Sequence, residues 1–128
     1  MPPLLLTLDE VLMIHRDQIE RYGGRDGIRD IALLSSAVAM PGAGFGEVAF
    51  HVDLFEMAAA YLFHIARNHP FVDGNKRTGL AAALVFLDLN GVRITAADED
   101  LETLAIGVAE GRIAKAAAAV HLMEAADK

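Results

Sequence analysis

Apolar residues recur along this chain at helical spacing, and clusters of Gly, Pro, Asn and Asp interrupt them. Leu8, Val11, Leu12, His15, Ile19 and Tyr22 mark one face of a first helix. Thr7 stands before it and Glu10 in its first turn, at the spacing of a capping box that starts the helix at Leu8, and Gly23-Gly24 stops it. Arg25 to Asp30 reads as a polar turn, with Asp30 the N-cap of a short helix through Met40 that Pro41 ends. Asp53 and Glu56 repeat the capping pattern, and Leu54, Met57, Ala58, Tyr61, Leu62 and Ile65 form one clean stripe up to Asn68. From Asn75 to Leu89 the chain is apolar almost all round, which predicts a central helix buried on every face, closed by Asn90-Gly91.

Val92-Arg93-Ile94 is a brief extended piece. Two further helices follow, from Asp98 to about Glu110, with Leu101, Leu104, Ala105 and Val108 inward, and from Ile113 to about Ala126. Pro41 to Val52 breaks the pattern: Gly42, Gly44 and Gly46 alternate with Ala43, Phe45 and Glu47, and the segment reads either as an irregular loop or as a small hairpin. The whole predicts an all-α fold, a compact helical bundle around a buried central helix, in one domain spanning residues 1–128.

Composition narrows the function. At 54% apolar and 23% charged residues, the chain has more apolar side chain than a small core needs, which predicts an exposed groove for a partner. A net charge of −7 excludes an extended DNA- or RNA-binding surface. The absence of Cys excludes disulfides and thiolate metal sites and fits a cytoplasmic protein. Leu80 to Leu89 is too short to span a membrane and carries Asp88, and Met1 to Leu6 lacks the basic region of a signal peptide.

The chemistry concentrates in His69-Pro70-Phe71-Val72-Asp73-Gly74-Asn75-Lys76-Arg77-Thr78, a short connection between two strongly apolar helices. Pro70 stops the upstream helix near Asn68 and leaves the His69 imidazole at a helix end. After Gly74 a new helix begins, and its first turn offers free N–H groups and a positive dipole end. Lys76 and Arg77 lie in that turn, where each cation costs a few tenths to about 1 kcal/mol unless an anion is shared among them. Polyphosphate fits. Gly74 admits close backbone approach, Asn75 offers an amide, and Arg77 has a fork suited to phosphate oxygens. Asp73 is either a hard ligand for Mg²⁺ bridging phosphates or simply the N-cap of the helix, a use worth about 1 kcal/mol. Imidazole ordinarily changes charge near neutral pH, so His69 is the candidate general base for an attacking hydroxyl. His15, on an apolar stripe, reads as a hydrogen-bonded core residue without chemistry. The role of the neighbouring Arg67 is left open between phosphate, an acidic partner and solvent.

From His69 to Arg77 the sequence resembles the signature of the Fic/Doc family, His-x-Phe-x-Asp/Glu-Gly/Ala-Asn followed by Gly or Lys and then Arg, with every fixed position met. Chain length and Arg21-Tyr22-Gly23-Gly24 are similar to those of the small death-on-curing (Doc) toxins. The resemblance implies a helical fold that transfers part of a nucleotide to a protein hydroxyl, with ATP as co-substrate. His69 would be the base, Asp73 the Mg²⁺ ligand, and Gly74, Asn75, Lys76 and Arg77 the phosphate clamp. Lys76 stands where AMP-transferring members have Gly. The family's members with Lys resemble kinases that phosphorylate a threonine of elongation factor Tu, whereas Gly74 is shared with the AMP transferases. A non-enzymatic module that only binds an antitoxin is the third reading.

The resemblance also implies that residues 42–50 form a flap aligning the target by strand-like pairing. Thr95 through Glu99 approaches the family's self-inhibitory pattern, but Asp100 follows where Gly or Asn is required. Neutralisation by a separate Phd-like antitoxin is therefore the expectation.

Overall fold

Two helices of 15 residues, α3 (Leu54–Asn68) and α4 (Asn75–Leu89), form the most extensive helix pair of the molecule and carry the loop between them. The computed structural model describes residues 2–127. Around this pair stand α1 (Leu8–Tyr22), α2 (Ile31–Ala39), α5 (Asp98–Ala109) and α6 (Lys115–Ala125), with a 3₁₀ turn at Met40–Gly42 and a two-stranded hairpin of β1 (Gly44–Phe45) and β2 (Val48–Ala49). The fold is all-α in the sense the hydrophobic pattern predicted.

Local chemistry sets the helix starts. Thr7 and Glu10 close a capping box on α1, the Glu10 N–H donating to Thr7 Oγ1 at 3.1 Å and the Thr7 N–H to Glu10 Oε1 at 2.9 Å. Asp53 accepts the Glu56 N–H at 2.8 Å, and Asp30 accepts that of Leu33 at 3.0 Å. Burial then joins the elements. Tyr61 and Phe86 meet with ring centroids 5.3 Å apart, and the Tyr61 hydroxyl accepts the Leu6 N–H at 2.8 Å, tying the N-terminal segment to α3. A side chain on Gly79 would come within 3.0 Å of the Leu62 carbonyl oxygen, so its absence lets α3 and α4 pack backbone to backbone.

Three details differ from the sequence expectation, and one open choice is settled. α4 is central but not covered on every side, since Val85 and Leu89 are exposed. Pro41 does not end its helix outright; it sits inside a 3₁₀ turn, where a fixed φ and a missing N–H are tolerated. The 41–52 segment holds the hairpin, with Gly44 opposite Ala49 and Phe45 opposite Val48. α6 starts at Lys115 rather than Ile113, because the Ile113 N–H turns back to the Gly107 carbonyl at 3.0 Å. Beyond α6, the Asp127 N–H reaches the Arg93 carbonyl at 2.7 Å, so the extended piece near Ile94 pairs with the chain end. Among the described residues no helix is long and apolar enough to cross a membrane.

Candidate active site

α3 ends at Asn68, and His69 turns the chain in the left-handed conformation, φ 50° and ψ 55°. It is the one residue other than Gly with a positive φ among those described. Such backbone costs on the order of 1 kcal/mol and persists only where the surroundings hold it. Arg29 does the holding. Its Nε–H donates to the His69 carbonyl at 2.6 Å and an Nη2–H to that of Asn68 at 2.8 Å, placing a cation on the negative end of α3. The N–H groups of Arg29 and Asp30 converge on the Pro70 carbonyl at 2.7 and 3.0 Å, and the Val72 N–H reaches the Gly27 carbonyl at 3.0 Å. A strand-like seam, with Ile28 opposite Phe71, thus runs along one edge of the loop.

Inside the loop, Phe71 is buried and stacks on His15, ring centroids 3.8 Å apart and planes 3° from parallel. Asn75 closes both ends of its amide on that residue, accepting the Phe71 N–H at 3.0 Å and donating to the Phe71 carbonyl at 3.0 Å. The Asn75 side chain is therefore a brace of the loop in this structure. Asp73 is not the N-cap of α4. Gly74 holds that position, φ 75°, with no side-chain cap bond, so among the described residues no side chain caps the first N–H groups of the helix. The Asp73 carboxylate accepts the Gly74 N–H on Oδ1 at 2.8 Å and the Arg25 N–H on Oδ2 at 3.1 Å. Those bonds, Arg25 before Gly74, hold its pKa below the ordinary carboxylate range, and the charges of Arg77 and Arg25 add to them.

The two cations of the first turn part ways. Arg77 leans back to α1, donating from Nη2 to the Gly23 carbonyl at 2.8 Å and from Nη1 to that of Tyr22 at 3.4 Å, with its guanidinium carbon 5.5 Å from the Tyr22 ring centroid. The negative end of α1 thus answers the charge that the sequence left opposed to the α4 dipole, and no anion is needed to explain that residue. Lys76 is exposed, and among the described residues it has neither a hydrogen bond nor an ion pair.

His69, Asp73, Gly74, Asn75, Lys76 and Arg77 all line one cavity of about 630 Å³. α5 and its C-cap supply the other side, with apolar Ala105, Ile106 and Ala109 and two acids, Glu102 in the helix and Glu110 at the cap. Asp73 offers one ionised carboxylate to the cavity, and a single carboxylate is a fit partner for a cation whose other ligands come from phosphate and water. Mg²⁺ ordinarily takes one or two carboxylates and completes its shell with phosphates and water. Arg67 is elsewhere, donating to the Ala109 carbonyl at the end of α5 at 3.2 Å.

Sequence reading missed Arg29, Arg25, the acids Glu102 and Glu110 and the part played by His15. The first two act through or on backbone atoms distant in the chain, for which no residue pattern exists. His15 carried a signal in its place on the stripe, which identified it as a satisfied core residue and stopped there.

The profile of the Fic/DOC family matches residues 5–87, from the segment before α1 through most of α4. The chain is 41% identical over 110 residues to the protein called "Protein kinase doc" of Escherichia phage P1, a match covering 84% of each. It is 49% identical over 81 residues to "Toxin Doc" of Mycolicibacterium smegmatis, covering 63% of this chain and 62% of that protein. A bundle that presents His69, Asp73 and an uncapped helix start to one cavity, together with these matches, places the chain in the Fic/Doc family.

Proposed function

We propose that this protein is the toxin of a toxin–antitoxin pair and transfers the γ-phosphate of ATP to a Ser or Thr hydroxyl of a protein target, elongation factor Tu, thereby inhibiting translation. The observation that carries the reading is the convergence of His69, Asp73, Lys76 and Arg77 with the free N–H groups of α4 on one cavity. The names of the two relatives, a kinase and a toxin, support it.

His69 accepts the proton of the target hydroxyl as its oxygen attacks the γ-phosphorus; the bond from that phosphorus to the bridging oxygen breaks and ADP leaves. The first-turn N–H groups, Gly74 and the Lys76 ammonium meet the phosphate oxygens, where the helix dipole favours negative charge. Arg77 exchanges its carbonyl partners for phosphate at little cost, because its guanidinium already sits beside the loop. Asn75 keeps the cradle in shape through Phe71. Mg²⁺ held by Asp73 and the nucleotide would neutralise phosphate charge.

A Phd-like antitoxin is the proposed partner, and the open apolar positions Val85 and Leu89 on α4 offer surface to one. Induced expression should arrest growth, His69→Ala should abolish the arrest, and co-expression of the antitoxin should relieve it. Growth unaffected by the wild-type chain would contradict the toxin reading.

A further inference from the structure

We infer that His15 is a positioning residue for Asp73: its ring locks the peptide between Asp73 and Gly74 against turning over. The inference rests on the reading of Asp73 as the carboxylate that meets a nucleotide-borne cation. His15 Nε2 lies 2.9 Å from the Asp73 carbonyl oxygen. A carbonyl only accepts, so Nε2 carries the proton and donates. The C=O and N–H of one trans peptide point in opposite directions, and fixing the Asp73 carbonyl therefore fixes the direction of the Gly74 N–H. That N–H donates to Asp73 Oδ1 at 2.8 Å and, together with the Arg25 N–H on Oδ2 at 3.1 Å, sets the carboxylate. The chain of cause runs from the imidazole of α1, through one peptide plane, to the carboxylate in the cavity.

Residue 74 supplies no resistance of its own. A peptide flip reverses φ of the following residue, and glycine accepts both signs. Gly74 stands at φ 75°, so both orientations of the 73–74 peptide are open to the backbone and an outside group must choose between them. His15 is suited to choose. It is 3% exposed, its face is fixed on Phe71, and its Nδ1 is turned toward Asp26 Oδ1 at 3.8 Å.

His15→Phe keeps an aromatic face for Phe71 and removes the donor; His15→Gln removes the ring and restores a donor near Nε2. Two readouts are compared: hydrogen exchange of the Gly74 amide without ligand, against the buried amides of Leu62 and Phe86, and the affinity for Mn²⁺ with ATP by electron paramagnetic resonance. The lock predicts that His15→Phe speeds Gly74 exchange and weakens Mn²⁺–ATP binding, each by about tenfold, while the core amides are unmoved and His15→Gln recovers most of both. Unchanged Gly74 exchange in His15→Phe would overturn it. So would a loosening shared by Leu62 and Phe86 in both variants, the mark of a merely structural role. Nitrogen NMR of the wild type tests it without a variant, and an Nε2 without a proton would be fatal. A wild type that binds no Mn²⁺–ATP sinks the nucleotide reading instead, while the exchange comparison still judges the lock.

Discussion

Asn75 and Phe71 are joined by two hydrogen bonds of 3.0 Å each, side-chain amide to backbone N–H and backbone C=O. Both residues are buried. The loop is thereby stapled across four residues at the point where it turns into α4.

Removing the staple has a definite cost. Asn75→Ala leaves a buried N–H and a buried C=O without partners, which should cost about 2 kcal/mol in urea unfolding. Asn75→Asp should be no better, because a carboxylate oxygen would then face the Phe71 carbonyl where a donor stood. A loss well under 1 kcal/mol in Asn75→Ala would mean that water replaces the amide freely.

Arg29 is the residue outside the signature on which the orientation of His69 most depends. Arg29→Ala frees the carbonyls of Asn68 and His69 and lets the left-handed turn relax, so phosphotransfer should fall about 10–100-fold with most of the stability retained. Arg29→Lys should recover little, since an ammonium cannot fork onto two carbonyls. Single-turnover rates decide it, and full activity in Arg29→Ala would show that His69 is held by other means.

What the sequence made legible, and what it did not, follows from range. The Thr7–Glu10 box, the Asp53 cap and the stop at Pro70 are contests between neighbours, and the structure places their helices at the expected starts. Arg29 meets carbonyls 39 and 40 residues away, and His15 meets one 58 residues away. A backbone oxygen has no sequence identity, so no pattern of residue types foretells such a partner. The same limit hid the carbonyl partners of Arg77: the α4 dipole was visible in the sequence, but the answering end of α1 was not. Two-residue strands are likewise too short for alternation to mark, which is why the hairpin stayed one of two readings.

A second cluster of imidazoles carries a pH dependence of stability. The His64 pKa is lowered to about 4, first by burial and then by Lys115, whose ammonium donates to Nε2 at 3.2 Å. The unfolded chain takes that proton near the ordinary 6.5. Between the two values the unfolded state binds more protons, so stability is full above about pH 6.5 and falls as pH drops toward about 4. His64 is half-buried, and solvent screening reduces the loss to on the order of 1–2 kcal/mol. His51, lowered chiefly by its own burial, acts in the same direction. Urea midpoints compared between about pH 7 and about pH 4.5 should show a smaller loss in Lys115→Gln than in the wild type, and an equal loss would remove Lys115 from the account.

Thr78, in the turn that follows the cavity, has a fully buried hydroxyl with no hydrogen-bond partner among the described residues. Thr78→Val replaces it with a methyl of nearly the same shape and should stabilise the fold by about 1 kcal/mol, or about 4 °C in melting temperature. A destabilised Thr78→Val would show that the hydroxyl finds a water or backbone partner in solution.

The central claim is that this loop moves a phosphate, and intact mass spectrometry of elongation factor Tu tests it most directly. After incubation with the protein, Mg²⁺ and ATP, the account predicts a gain of one phosphate that disappears with His69→Ala. A gain of one AMP, or no gain with the wild-type protein, would contradict it.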